Sequence, residues 1–226
     1  MEPEILYEDK FVIVCVKPEG MPSQDDHSST MDMVSWLKNH VSGAISGKPP
    51  YIGVVHRLDR PVGGVMVYAK TPQAAKELSR QFAEHKTDKV YTVVLTGKLP
   101  AKKGILTDWL MKGRDNLSQV TTAKAAGSKE ARLSYQVIRS KYETGRTWTL
   151  AQIALDTGRH HQIRVQMAHA GAGVYGDRKY NPDGPILPEA GGIGLFASKL
   201  TFTHPVTRKK MTFQAKPTGR IFQMFS

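Results

Sequence analysis

The sequence predicts an α+β fold: a mixed, largely antiparallel central sheet with flanking helices and a catalytic cleft. Three observations predict it. Runs rich in β-branched and aromatic residues outnumber amphipathic helical stretches. Several neighbouring runs are separated by turns short enough for hairpins, which pair strands antiparallel. No segment repeats with a period of about 20–50 residues, and no Pro- or Ser-rich linker divides the chain, so a single domain over residues 1–226 is expected.

The elements follow in order. Ile5 to Tyr7 and Phe11 to Val16 read as two short strands joined by a Glu8-Asp9-Lys10 turn and ended by Lys17-Pro18-Glu19-Gly20. After a polar loop over 21–31, Thr30 is the expected cap of a helix whose apolar face is Met31, Val34, Trp36 and Leu37. The Gly/Ser/Pro-rich stretch Gly43 to Pro50 reads as a loop. A strand over Ile52 to Val55 leads into the polar cluster 56–60, a Pro61-Val62-Gly63-Gly64 turn and a buried strand over 65–69. Thr71 caps the next helix with Pro72 at its first position, and Ala74, Ala75, Leu78 and Phe82 line one side. Lys89 to Leu95 is a strand ended by Thr96-Gly97. Residues 100–130 show only short apolar pieces broken by charge. Arg132 to Arg139 and Trp148 to Leu155 alternate as paired strands around Glu143-Thr144-Gly145, with Tyr142 and Trp148 as packing aromatics. Ile163, Met167 and Ala168 share a helical face, and Phe202 and Met211 to Phe213 read as closing strands around a His204-Pro205 turn.

Charge narrows the partners. Lys plus Arg number 32 and Asp plus Glu number 20, a net of +12. The first 30 residues hold seven acids against Lys10 and Lys17, so the rest of the chain carries +17. After Glu189 no acid follows, yet Lys199, Arg208, Lys209, Lys210, Lys216 and Arg220 do. Such a field attracts polyanions, although charge alone does not identify one. The longest purely apolar run, Phe11 to Val16, falls far short of the ~20 residues of a membrane span. The acidic start lacks the pattern of a secretory signal. With a single cysteine, Cys15, no intrachain disulfide forms. A cytoplasmic protein acting as a monomer, away from membranes, is the expectation.

Two segments carry candidate chemistry. HRLDRPVGG at 56–64 surrounds the Asp59 carboxylate with His56, Arg57 and Arg60 at a strand end, followed by glycines that admit close approach. Flanking cations favour the ionised acid; an isolated R-x-D is more often a structural ion pair at a strand end. TGRHHQIR at 157–164 sets Arg159, His160, His161, Gln162 and Arg164 at a loop-to-helix junction, a place suited to anions. The histidine spacing does not suit zinc, and no phosphate loop, dinucleotide fingerprint or nucleophile elbow occurs. No metal and no cofactor are therefore expected.

Taken together, the segments resemble the RluA-type pseudouridine synthase family. VVHRLDRPVGGVMVYAKT at 54–71 is similar to its catalytic motif, and ILYEDKFVIVCVKPEGMPSQ at 5–24 to its opening strands. KVYTVVLTG at 89–97, LDTGRHHQIRVQMAHAGAGVYGDRKY at 155–180 and LFASKLTFTHPVTRKKMTF at 195–213 continue the resemblance in family order. Gly63 stands where that family usually has Ser, His160 where Thr or Ser is common, and Phe196 where His is frequent. Because the sequence opens directly on the segment similar to the family's first strands, no appended S4-like domain is expected.

The resemblance implies isomerisation of uridine to pseudouridine in structured RNA, ribosomal RNA, transfer RNA or both, with no cofactor. It makes Asp59 the essential carboxylate, either a nucleophile at the sugar or a base beside it. It makes Arg164 the cation paired with Asp59, and Tyr91 the residue that packs on the target base. Arg57 would fill the stack left by the flipped nucleotide. His56, Arg60, Arg159, His161 and Gln162 would contact substrate, and Lys209 and Lys210 its phosphates. Two other classes stay open: an RNA-binding module of the same fold without the reaction, and an Asp-dependent nucleoside or glycoside hydrolase. The latter generally needs a second acid, and cations surround HRLD instead.

Overall fold

A computed structural model describes residues 2–42, 49–113, 116–143, 145–187 and 190–226. Most of the expected 43–50 loop and Thr144 of the expected hairpin turn lie outside the described residues. The elements in chain order are β1 (Glu4–Glu8), β2 (Val12–Lys17), α1 (Met33–Ser42), β3 (Gly53–Val54), β4 (Gly63–Ala69), α2 (Pro72–Ala83), β5 (Asp88–Thr96) and β6 (Lys103–Lys112). They continue with β7 (Ser118–Thr121), β8 (Lys129–Glu143), β9 (Arg146–Leu155), α3 (Gln162–His169), β10 (Gly173–Val174), β11 (Leu195–Thr203), β12 (Lys210–Gln214) and α4 (Arg220–Gln223). The fold is α+β, a large and mostly antiparallel sheet with few helices. The chain forms two compact units, Met1–Lys89 with Ala197–Lys216, and Val90–Phe196 with Pro217–Ser226.

In the first unit, β1 pairs with β2 and β2 with β4, both antiparallel; β4 is followed by β11, which pairs antiparallel with β12. Every residue of β4 is buried, which explains why it reads as a continuous apolar run rather than an alternating one. One face packs Val12, Val14, Val65, Val67, Leu200 and Phe202 against Ala74 and Leu78 of α2. Thr71 caps α2 by accepting the Ala74 N–H at 3.2 Å, as expected. The expectation for α1 needs correction. Asp32, not Thr30, caps it, accepting from Val34 N–H at 2.8 Å and Ser35 N–H at 3.2 Å. Its buried face is Met33, Leu37 and Val41, while Met31 is exposed. A carboxylate accepts helix N–H groups as well as a hydroxyl does, and the later cap leaves Met31 ahead of the helix.

In the second unit, the order β5–β9–β8–β6–β7 is antiparallel throughout, with β10 on the other edge of β5. The stretch 100–130, read from sequence as irregular, holds β6 and β7. Their alternation is masked because β6 lies near the edge, and only Leu110 of it is buried. Tyr142, expected to pack, is 76% exposed near the end of the β8–β9 hairpin, whereas Trp148 is buried with Val94, Tyr175, Ile221 and Phe225. Six of the eight residues of α3 are buried, Ala168 not among them. A helix enclosed on all sides has no apolar stripe to read. Its polar side chains need internal partners, and the site is built from these.

Candidate active site

The HRLD segment is pinned mainly through its backbone. The hydroxyl of the buried Ser23 donates to the Leu58 carbonyl at 2.8 Å and accepts the Leu58 N–H at 3.1 Å. The Arg60 carbonyl accepts the Gly20 N–H at 2.9 Å and the Lys17 ammonium at 3.1 Å. Asp59 lies between these two anchors, half-buried, and its carbonyl accepts the Val62 N–H at 2.9 Å to close a turn. Gly64 then enters β4 at φ +133°, and a Cβ there would meet the Ala197 carbonyl at 2.4 Å. The second glycine of the motif thus answers a close approach of backbone.

Lys17 is fully buried, and its ammonium donates to the carbonyls of Pro18 at 3.0 Å, Met21 at 2.6 Å and Arg60 at 3.1 Å. Burial lowers its pKa to about 8, while the charges of Asp59 and Glu19 oppose the drop. The amine therefore stays a cation at neutral pH and adds a positive potential at Asp59. Sequence reading marked Lys17 only as the end of a strand. The signal was the Lys-Pro pair itself, since a lysine that closes a buried strand needs acceptors.

The other residues of this cluster divide. His56 stacks on Phe82 at 4.4 Å between ring centroids, and its Nε2 accepts the Val67 N–H at 3.1 Å. An accepting Nε2 requires the neutral ring, and burial, reinforced by the Lys89 charge, pushes its pKa down to about 3. Arg60 donates to the Gly20 carbonyl at 3.1 Å, Asp26 at 3.2 Å and Thr30 at 3.0 Å, so its guanidinium fastens the 20–30 loop. Arg57 is exposed. Farther along, Lys210 lies 3.5 Å from Asp88, with both side chains exposed, and Lys209 is exposed beside it.

In the second unit, side chains do the holding. Tyr91 sits half-buried on β5, opposite Ile153 of β9. Gln162 is buried and its amide folds the loop: Oε1 accepts from the Thr157 hydroxyl at 2.8 Å and the Arg159 N–H at 2.9 Å, and Nε2 donates to the Arg132 carbonyl at 3.0 Å. Arg159 donates to the Glu130 carbonyl at 2.8 Å. Arg164 is buried and bidentate to Asp177, both bonds 2.7 Å, with its guanidinium over the Tyr180 ring at 5.1 Å. His160 bonds Ser118 Oγ at 2.9 Å, and His161 bonds the Tyr180 hydroxyl at 2.6 Å. Among the described residues, no three metal-ligating side chains come together. Asp177 and Tyr180 were not anticipated as site residues, although the GDRKY segment at 176–180 carried them in plain view.

The arrangement supplies an ordered carboxylate with a buried cation beside it in one unit. The other supplies a braced arginine and an ordered imidazole. A family model described as RNA pseudouridylate synthase matches residues 11–169. The chain is 33% identical to the tRNA pseudouridine synthase C of Haemophilus ducreyi, covering 95% of this chain and 91% of that one. It is 30% identical to the ribosomal large subunit pseudouridine synthase D of Zymomonas mobilis, covering 94% and 68%. Solved structures of the human RNA pseudouridylate synthase domain containing 1 and 4 proteins superpose with TM-scores of 0.76 and 0.75 at 18% and 21% identity. They cover 96% and 95% of this chain, and 84% and 89% of their own, and they speak to the fold.

Proposed function

This chain belongs to the RNA pseudouridylate synthase family, and from that premise we propose that it isomerises uridines in folded transfer or ribosomal RNA with Asp59 as the essential carboxylate. The family converts uridine to pseudouridine. The observation that carries the assignment to Asp59 is the double anchoring of its turn, Ser23 on Leu58 before it and Gly20 with Lys17 on Arg60 after it. Reaction at one sugar carbon needs a carboxylate held to within a fraction of an ångström, and the backbone bonds on both sides of Asp59 fix the turn that carries it.

In this reading Arg164, whose plane Asp177 fixes, is the cation that serves the uridine site, and Tyr91 packs on the extruded base. Arg57, exposed next to the anchored Leu58, fills the stack the base leaves. His161 contacts the substrate. His56, Arg60, Arg159 and Gln162 serve it by shaping the loops that meet RNA. Lys209 and Lys210 hold phosphates. The family match spans 11–169, and one catalytic domain over 1–226, acting in the cytoplasm as a monomer, is part of the same proposal.

The test is tritium release from unmodified transfer and ribosomal RNA transcripts labelled at C5 of uridine, followed by mapping of the pseudouridines formed. The wild-type chain should release tritium from at least one of the two classes. Asp59→Asn should abolish release while RNA affinity stays within about tenfold, because the amide keeps the size and loses one negative charge beside a polyanion. Turnover by Asp59→Asn removes the assignment. Binding without turnover by the wild-type chain would favour the binding-module reading.

A further inference from the structure

The start of α3 carries more order than a helix entrance needs. His161 sits at φ +54°, a left-handed conformation uncommon for a residue with a side chain, and makes no side-chain cap. Such a geometry costs of order 1 kcal/mol and persists only where its surroundings fix it. Tyr180 provides much of that fixing. Its hydroxyl oxygen accepts the Ser118 N–H at 2.8 Å and lies 2.6 Å from His161 Nδ1. The Ser118 N–H can only donate, so that bond's direction is settled. Whichever partner holds the proton of the other bond, His161 Nδ1 is committed to Tyr180. The His161 ring is also stacked on His160 at 3.7 Å, and His160 is tied to the hydroxyl of the same Ser118.

The face of the Tyr180 ring has a second task. The Arg164 guanidinium lies over it at 5.1 Å, an attraction that strengthens when water is excluded. Asp177 grips Arg164 in its plane and also accepts the Lys179 N–H at 3.0 Å and the Tyr180 N–H at 3.3 Å. One carboxylate therefore sets the guanidinium and the backbone of the tyrosine beneath it. Leu110, Ala131 and Val165 pack around the ring.

We propose that Tyr180 is a positioning residue of the isomerase: its ring sets the Arg164 guanidinium and its hydroxyl sets the His161 imidazole. It acts on the reaction through those two groups. The proposal rests on the reading that Arg164 and His161 serve the uridine site.

The experiment compares full-length Tyr180→Phe with wild type, using C5-tritiated RNA transcripts. Phe keeps the ring over Arg164 and removes both bonds of the hydroxyl. The maximal single-turnover rate should fall roughly ten- to a hundredfold, the scale on which misplacement of a reacting geometry is felt. The half-saturating RNA concentration should stay within about twofold of wild type, since positioning changes the chemical step rather than uniform binding. Tyr180→Leu, which loses the ring face as well, should fall further. Tyr142→Phe, a change on an exposed tyrosine of β8, should match wild type. Nitrogen-15 spectra should show the His161 Nδ1 resonance displaced in Tyr180→Phe. A Tyr180→Phe rate equal to wild type, or a loss lying wholly in the half-saturating concentration, overturns the proposal. So does an unmoved Nδ1 resonance. Asp59→Asn in the same assay separates the two levels: its turnover would remove the reading of the site, while the spectra still report on Tyr180 and His161.

Discussion

Residues 56–64 in the first unit and 157–164 in the second are both loops that run into a regular element, yet different atoms hold them. Around Asp59 the grip is on the main chain: Ser23 holds both polar groups of Leu58, and Lys17 and Gly20 hold the Arg60 carbonyl. Around Arg164 the grip is on side chains: the Gln162 amide closes the loop, Asp177 clamps the guanidinium, and Tyr180 supports it from below. A loop anchored through its main chain can keep those anchors when a side chain between them is changed. A loop held by its side chains cannot. The difference teaches how variants must be judged. A dead variant in the first loop reports on chemistry, whereas one in the second reports on chemistry and structure together.

The sharpest way to break this comparison is to change one carboxylate in each unit. Asp177→Asn takes the charge from a buried bidentate pair and weakens the acceptor for Lys179 and Tyr180. We expect a loss of about 3 kcal/mol in urea unfolding, toward the lower end for a broken buried pair. Asp59→Asn should cost less than Asp177→Asn, since the anchors of its turn are main-chain bonds that the substitution leaves in place. Equal costs for the two would show that the distinction between the loops is false.

A smaller effect probes the backbone-held side. Ser23→Ala removes the hydroxyl that serves both the N–H and the carbonyl of Leu58. A buried N–H left without its acceptor costs about 1–3 kcal/mol. Because Asp59 is the next residue, the isomerisation rate should fall while RNA affinity holds. Loss of stability with an undiminished rate would mean that this anchor supports the fold and not the carboxylate.

These contrasts also show what could be read in advance. The all-buried strand β4, the Thr71 cap with Pro72, and the β8–β9 hairpin were legible because each is a local pattern of adjacent residues. The turn at Asp59 was legible because Pro61 and the Gly63-Gly64 pair follow it directly in sequence. β6 and β7 were not, since near the sheet's edge burial no longer enforces alternation. The Asp32 cap was passed over for a threonine two residues earlier. Asp177 escaped because its partner is thirteen residues away in sequence, and an ion pair leaves no periodic trace. Lys17 escaped because its acceptors are carbonyls, which every residue has.

The smallest expected effect at neutral pH belongs to His56, and it tests the backbone-held side by titration. β3 ends at Val54, and the His56 Nε2 takes over as acceptor for the Val67 N–H of β4. That bond needs the neutral ring, and the pKa is pushed down to about 3 by burial with help from Lys89. In the unfolded chain the same imidazole titrates near 6.5. Between those values the unfolded state binds a proton that the folded state refuses, so stability falls as pH drops from about 6.5 toward 3. Glu77, held down to about 2 chiefly by Arg80, also loses stabilisation in acid, as do Glu8 and Asp9, whose carboxyls are lowered too. The difference between two proteins that share these acids removes their contribution. His56→Gln is the right partner, because its carbonyl oxygen can accept the Val67 N–H and does not titrate. Gln does not reproduce the stack on Phe82, so at pH 8 the variant should be less stable by roughly 0.5–1 kcal/mol, the scale of one aromatic pair. Urea unfolding at pH 8, 6.5 and 5 should show that gap closing and then reversing in favour of Gln. A gap that stays constant across this range would mean that His56 carries its proton in the folded chain, and that its bond to the β4 backbone is not what holds the motif.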